Sequence, residues 1–312
     1  MTTAWLFPGQ GTQQVGMGKQ LFDSSPAARQ VWERADAALG FSLTKLCFEG
    51  PEADLTLTKY AQPAIVTTSI AALAALRESV PNLPLPSLAA GHSLGEYSAL
   101  VAASALRFED AVRLVHLRGQ AMQEAVPAGV GGMAAIMGGE AAAVEELCRD
   151  AAQGEVVAPA NFNTPGQIVI SGHKSAVERA AALAGERKLK ATMLNVSAPF
   201  HCSLMAPAAA RMKSALAEVT MGQLAFPVVA NVVALPNADA ARVAELLVRQ
   251  VDSPVLWDRS VVAMAEAGVT RALEIGPGKV LANMAKRIDK RVSVLSVGES
   301  EALAKVAEFL AG

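Results

Sequence analysis

The sequence predicts an α/β fold: a large domain on a mostly parallel sheet, interrupted by a smaller domain with a sheet of its own. Three observations carry this reading. Short apolar runs alternate with helical patterns at both ends of the chain, as expected of a parallel sheet covered on both faces by helices. A glycine-rich stretch, Val126-Pro127-Ala128-Gly129-Val130-Gly131-Gly132, breaks that alternation. After it the order becomes β-α-β-β-α-β, the ferredoxin-like pattern, before strand and helix alternate again.

Taken in order, Ala4-Trp5-Leu6-Phe7 reads as a buried strand entering the sharp turn Pro8-Gly9-Gln10-Gly11. Helical patterns follow over 26–40 and 63–79, then the strand Ser87-Leu88-Ala89-Ala90 and helices from Leu94 to Ala103 and from Glu109 to Ala125. Past the glycines come strand Met133 to Met137, helix Glu140 to Gln153, strands Val156 to Asn161 and Gln167 to Ser171, helix Lys174 to Gly185 and strand Leu189 to Val196. The remainder gives a helix near 203–219, strand 226–231, helices around 240–251 and 259–267, strand Arg271 to Ile275, and a last helix and strand. Residues 1–127 and 198–312 thus form the large domain and 128–197 an inserted ferredoxin-like subdomain. The cleft between them is the natural ligand site, as clefts between domains commonly are.

Composition narrows the function. The 312 residues are 52% hydrophobic, enough for a sizeable core, and 27 basic against 29 acidic residues leave a net charge of −2. No overall field attracts nucleic acid or an anionic membrane, so neither is expected as a partner. Cys47, Cys148 and Cys202 are odd in number and far apart, which argues for a reducing compartment rather than a disulfide framework. No basic segment leads into an apolar one at the N-terminus and no apolar run reaches membrane-spanning length, so a soluble, cytoplasmic protein is expected.

The chemistry centres on Gly91-His92-Ser93-Leu94-Gly95-Glu96, a serine between two glycines where a strand gives way to a helix. Glycines on either side permit the tight turn that exposes a nucleophilic hydroxyl at a strand's carboxyl end, which makes the large domain α/β-hydrolase-like. A serine just before a helix also serves as an N-cap, so the segment alone leaves both roles open. A nucleophilic serine needs a base. Of four histidines, His92 adjoins the serine and points away from it, His116 lies inside a helix and His173 follows a Ser-Gly turn. His201 lies in an irregular segment leaving the small domain, where it serves either as a cleft-facing base or as a surface residue. No Asp or Glu stands out to orient it.

Arg118 shares an apolar helical stripe with Ala111, Leu114, Val115, Ala121, Met122 and Ala125. A guanidinium aimed at a buried site cannot lose its proton and calls for an anion, ideally a carboxylate gripped at two points; at the stripe's edge it would snorkel to water instead. Asn161 and Asn163 sit at a strand-to-turn junction that Asx-turns explain. Glu274-Ile275-Gly276-Pro277-Gly278-Lys279 lacks the phosphate-loop pattern and reads as a structural turn. Cys202 reads as a small core residue, and no metal-ligand cluster appears.

Together, Phe7-Pro8-Gly9-Gln10-Gly11, Gly91 to Tyr97, Arg118-Gly119, Met133 to Gly138, Asn161-Phe162-Asn163, Phe200-His201 and Glu274 to Lys279 resemble the malonyl-CoA:acyl carrier protein transacylase family, nearly end to end. The resemblance implies that Ser93 attacks the malonyl thioester with His201 as base, that the main-chain carbonyl of Gln250 orients His201, and that the amides of Gln10 and Leu94 bind the oxyanion. It gives Arg118 the free malonyl carboxylate and places Asn163 and Phe200 against the substrate. Leu94, where methylmalonyl-selective relatives commonly have glutamine, and Phe200 before the histidine both favour malonyl. It further implies ping-pong transfer without a cofactor, malonyl-CoA and acyl carrier protein as partners, and a monomer. An acidic carrier would dock on a basic patch, either Arg187-Lys188-Lys190 or Lys286-Arg287-Lys290-Arg291, although each run also reads as a solvated face. A malonyl acyltransferase of a polyketide pathway, a serine thioesterase and an inactive carrier-binding scaffold are the rival readings.

Overall fold

Strands buried on both faces must be apolar along their whole length, and Leu88-Ala89-Ala90-Gly91 is buried at every position. The structure, a computed structural model, describes residues 2–196 and 198–311. The chain opens with β1 (Thr2–Phe7), then α1 (Lys19–Ser24), α2 (Pro26–Leu39), α3 (Leu43–Glu49), α4 (Glu52–Leu55) and α5 (Thr58–Ser79). β2 (Leu88–Gly91), α6 (Gly95–Ala102) and α7 (Phe108–Glu124) complete this part. There follow β3 (Gly131–Met137), α8 (Ala141–Ala152), β4 (Val157–Thr164), β5 (Gln167–His173), α9 (Lys174–Glu186) and β6 (Lys190–Met193). A 3₁₀ turn at Ser203–Met205 leads into α10 (Ala206–Ala217), β7 (Val228–Ala230), β8 (Leu235–Asn237), α11 (Ala240–Asp252) and α12 (Trp257–Glu266). Last come β9 (Val269–Ile275), α13 (Val280–Ile288), β10 (Ser293–Val297), α14 (Ser300–Leu303) and α15 (Val306–Ala311).

The strands make two sheets. The larger has the order β10-β9-β1-β2-β7-β8, parallel except where β8 returns antiparallel to β7. The smaller, β4-β5-β3-β6, is antiparallel throughout. Period-two alternation divides the large core: Trp5, Phe7 and Ala89 face one apolar cluster, while Ala4, Leu6, Leu88 and Ala90 face another. In the small sheet Ala134, Ile136, Ile168 and Ile170 pack on α8 and α9, whereas Met133 and Val169 turn to the cleft. Register aligns Phe7 with Gly91. That pairing sets the Pro8–Gly11 turn beside the Ser93 turn at the carboxyl ends of two central strands, where parallel sheets gather their ligand sites.

The expected elements appear, with shifted ends. Helix α5 begins at Thr58 rather than 63, because Pro63 is accommodated inside it. A helical proline orphans the carbonyl four residues earlier, here that of Lys59, and the His116 ring donates to it through Nδ1 at 2.7 Å. His116 is thereby explained structurally. His173 ends β5 instead of following a turn, β8 and the short helices α1, α3 and α4 were not foreseen, and α14 and α15 follow the strand expected to close the chain. The expected boundary at 197 falls on Ser197, and the expected outer ends on Met1 and Gly312; all three lie outside the described residues.

Candidate active site

Steric exclusion builds the elbow. A Cβ on Gly91 would lie 2.0 Å from the Gly95 carbonyl, and one on Gly95 would lie 2.2 Å from the Phe7 oxygen. Only glycine fits at either position. Between them Ser93 takes φ 52°, a left-handed conformation that costs a non-glycine residue on the order of 1–3 kcal/mol and persists only when its surroundings enforce it. The enforcing group is Asn231, whose Oδ1 accepts from Ser93 N and whose Nδ2 donates to Gly91 O, both at 2.7 Å.

Ser93 Oγ lies 2.8 Å from Nε2 of His201, and His201 Nδ1 lies 2.9 Å from the main-chain oxygen of Gln250. Because a carbonyl only accepts, Nδ1 carries the hydrogen and Nε2 is free to take the serine proton. His201 is 4% exposed. Burial, then the nearby Arg118 guanidinium, push its pKa down to about 3, so the ring is a neutral base.

Arg118 completes the cluster. It is 1% exposed, having left the stripe's edge for the interior. Its Nη1 donates to Gln62 Oε1 at 2.9 Å, and its Nη2 to Gln250 Oε1 at 2.8 Å and Ser93 Oγ at 3.1 Å. Among the described residues no carboxylate lies within 4.0 Å of it, and its buried Nε has no hydrogen-bond partner. A desolvated cation held only by neutral acceptors beside a serine is prepared for an anionic ligand.

These groups open on a cleft of about 520 Å³ between the sheets, lined also by Gln10, Asn163 and Phe200. Asn163 Oδ1 accepts from His92 Nε2 at 2.9 Å, so this ring nitrogen is engaged by Asn163 and not by the serine. The amides of Gln10 and Leu94 donate to no other main-chain group among the described residues. The Leu94 side chain is fully buried in the main core and does not line the cleft.

The acyl transferase domain model matches residues 4–304 of the chain. The chain belongs to the acyl transferase family. It is 46% identical over 301 residues to the malonyl CoA-acyl carrier protein transacylase of Salmonella typhimurium, covering 96% of this chain and 97% of that one. The Bacillus subtilis protein of the same name is 47% identical over 302 residues, covering 96% and 94%. Among solved structures, the malonyl CoA-acyl carrier protein transacylase of Coxiella burnetii superposes with TM-score 0.97 at 39% identity, covering 100% of this chain and 98% of that one. A malonyl-transacylase solved in complex with a type II PKS acyl-carrier protein gives 0.96 at 42%, covering 99% of each.

Elsewhere in this acyl transferase the other sequence candidates fall into structural roles. The Glu274 carboxylate caps α13, accepting from Leu281 N at 2.8 Å and Ala282 N at 3.0 Å, so the glycine loop beside it is a turn. Burial pushes the Cys202 thiol up, and its Sγ donates to Pro199 O. Arg187 pairs with Asp150 and Arg291 with Asp289, which leaves Lys188, Lys190, Lys286, Arg287 and Lys290 as the remaining basic groups of the two runs.

Gln62 and Asn231 escaped the sequence reading, and Glu96 stood in it only as the last residue of the serine motif. Gln62 had a visible signal, a long amide on a helix otherwise buried almost all round, but Thr67, Thr68 and Ser69 share that helix and blur it. The Gln250 side chain was also unforeseen, although it continues the apolar stripe Val243, Leu246, Leu247 and Val251 of α11.

Proposed function

We propose that this chain transfers the malonyl group of malonyl-CoA to the phosphopantetheine thiol of an acyl carrier protein through a malonyl ester on Ser93. The observation that carries this reading is the buried Arg118 guanidinium, bonded to the Ser93 hydroxyl and, among the described residues, unpaired with any carboxylate. A neutral acyl group leaves that charge unmatched, whereas the carboxylate of malonate pairs with it. In the first half-reaction Ser93 Oγ attacks the thioester carbonyl as its proton passes to His201 Nε2. The amides of Gln10 and Leu94 hold the oxyanion, and each such donor contributes about 10²–10³ in rate in a measured enzyme of another family. The tetrahedral centre collapses, the C–S bond breaks, and His201 returns the proton to the departing coenzyme A sulfur. In the second, the carrier thiol gives its proton to His201 and attacks the ester; the C–O bond breaks and the proton returns to Ser93 Oγ. No step calls for a cofactor. The Gln250 carbonyl holds the imidazole tautomer throughout, and Asn163 and Phe200 bound the acyl pocket.

In this reading the large unit, residues 1–127 and 198–312, is α/β-hydrolase-like and 128–197 is an inserted ferredoxin-like subdomain. The β4-β5-β3-β6 order and its antiparallel pairing support the second name. A monomer suffices, because every group named comes from one chain. No described helix is long and apolar enough to cross a membrane.

Brief exposure to malonyl-CoA followed by mass spectrometry should place a malonyl adduct on Ser93, and added carrier protein should discharge it as malonyl-carrier. Loss of the acyl group to water with no malonyl-carrier product would establish a thioesterase instead. The likeness to a malonyl-transacylase solved in complex with a type II PKS acyl-carrier protein supports a second reading of the pathway, which rates with fatty-acid and polyketide carriers would separate.

A further inference from the structure

Glu96 follows the elbow directly, and the reaction above leaves it unused. It is 3% exposed and faces away from the cleft, toward a void of about 10 Å³ shared with Leu100, Val228 and Asn237. Its Oε2 accepts from Gln250 Nε2 at 2.7 Å and from Asn231 N at 3.0 Å. Burial pushes its pKa up to about 7. Burying an ionisable group without a matching cation is costly, so its place under the elbow calls for a reason.

Gln250 supplies the reason. Its Nε2 donates to Glu96 Oε2 and also to Ser93 O at 3.0 Å, which commits both amide hydrogens to acceptors on the elbow. Its Oε1 is then left facing Arg118 Nη2, at 2.8 Å. Flipping the amide would set its NH₂ against the guanidinium and its oxygen against the carboxylate, two repulsive contacts in place of two bonds. The same Nη2 reaches Ser93 Oγ. We infer that Glu96 is a positioning residue, which fixes the orientation of the Gln250 side-chain amide and thereby holds Arg118 in the pose that receives a substrate carboxylate. The identity of that carboxylate rests on the malonyl reading; the pose of Arg118 does not.

The test compares Glu96→Ala, Glu96→Asp and Glu96→Gln by crystal structure, thermal melting and kcat/KM for malonyl-CoA and acetyl-CoA. In Glu96→Gln the side-chain oxygen still accepts from both donors while its NH₂ turns to the void, so the Arg118 pose and the malonyl preference are retained. In Glu96→Ala the amide is released, Arg118 leaves Ser93 Oγ, and the malonyl-to-acetyl ratio falls about 10- to 100-fold, by analogy with the loss when residues that orient metal ligands are removed. Glu96→Asp, one methylene short of Gln250, shows a smaller fall and serves if the alanine variant does not fold. Retention of the Arg118 bonds to Gln250 and Ser93 in the alanine or aspartate variant overturns the inference. So does an equal loss for both acyl groups that tracks the melting temperature. A wild-type enzyme indifferent to the free carboxylate would refute the malonyl reading, while the crystal comparison would still decide the role of Glu96.

Discussion

Arg118→Ala separates recognition of a carboxylate from acyl transfer in general. The guanidinium is 1% exposed and makes three hydrogen bonds, two to glutamine side chains and one to the nucleophile. With malonyl-CoA bound, the truncated site leaves the acyl carboxylate without its cation, and breaking a buried pair from one side costs about 3–5 kcal/mol. The vacated volume opens on a cleft of about 520 Å³ through which water reaches the carboxylate, which favours the lower end. At about 1.4 kcal/mol per factor of ten, 3 kcal/mol is a loss of about 10² in kcat/KM. Acetyl-CoA presents a methyl group to the same place. There the loss is the charge-assisted bond from Nη2 to Ser93 Oγ, about 1.5–3 kcal/mol, offset because removing the cation makes His201 more basic. That bond is lost with malonyl-CoA as well and cancels in the comparison, so acetyl transfer is spared relative to malonyl transfer and the malonyl-to-acetyl ratio falls at least about tenfold. Initial rates with both thioesters and one carrier measure this directly. Arg118→Lys, which keeps the charge but not the planar fork, should lie between the two. Equal losses for both acyl groups would refute the assignment and make Arg118 a structural residue.

Gly95→Ala should destabilise by about 3 kcal/mol or prevent folding, since its Cβ would lie 2.2 Å from the Phe7 oxygen and overpacking against backbone has no cheap relief. Gly185→Ala, near the end of a helix with no atom within 4 Å of the new Cβ, should be neutral or stabilising by about 0.5–1 kcal/mol; melting temperatures compare the two. For Glu96 the pKa is raised from 4.5 to about 7, so the folded state holds a proton the unfolded chain releases, and this contribution to stability is lost as pH rises from 4.5 through 7. His201 runs the other way, lowered from 6.5 to about 3, so its contribution is present above 6.5 and lost as pH falls toward 3. Urea unfolding of Glu96→Gln should accordingly gain on the wild type between pH 5 and pH 8, and a constant difference would contradict the burial of an ionisable Glu96. A malonyl carboxylate on Arg118 cancels part of the charge that lowers His201, so the acid limb of kcat should lie at higher pH than that of kcat/KM with malonyl-CoA, and coincide with it for acetyl-CoA.

Much of this site was legible because its residues violate the pattern around them. Arg118 interrupts an apolar stripe, and two glycines around Ser93 mark a turn that nothing larger can make. The partner of His201 left no such mark. A main-chain carbonyl has no residue type, so the residues alone found no orienting group, and Gln250 came only with the family resemblance. The meeting of the two turns was equally hidden, since β1 and β2 are separated by five helices and become neighbours only through the register of Phe7 with Gly91. Asn231 binds the elbow across 138 residues of sequence, where no local period reaches.

That a carbonyl stands where hydrolases place an acid follows from the charge the site must keep available. A carboxylate on His201 Nδ1 would lie close to Arg118, whose field is already strong enough to depress the imidazole. Opposite charges at that range in a dry site pair, and the guanidinium would be spent on the enzyme's own acid. A carbonyl fixes the tautomer as well as a carboxylate does but carries no net charge to compete with the substrate. The elbow's one carboxylate, Glu96, is kept from Arg118 in the same way, by the Gln250 amide placed between them. One residue thus stands between the cation and both groups, with its main chain toward the base and its side chain toward the acid, and no described carboxylate comes within 4.0 Å of the guanidinium.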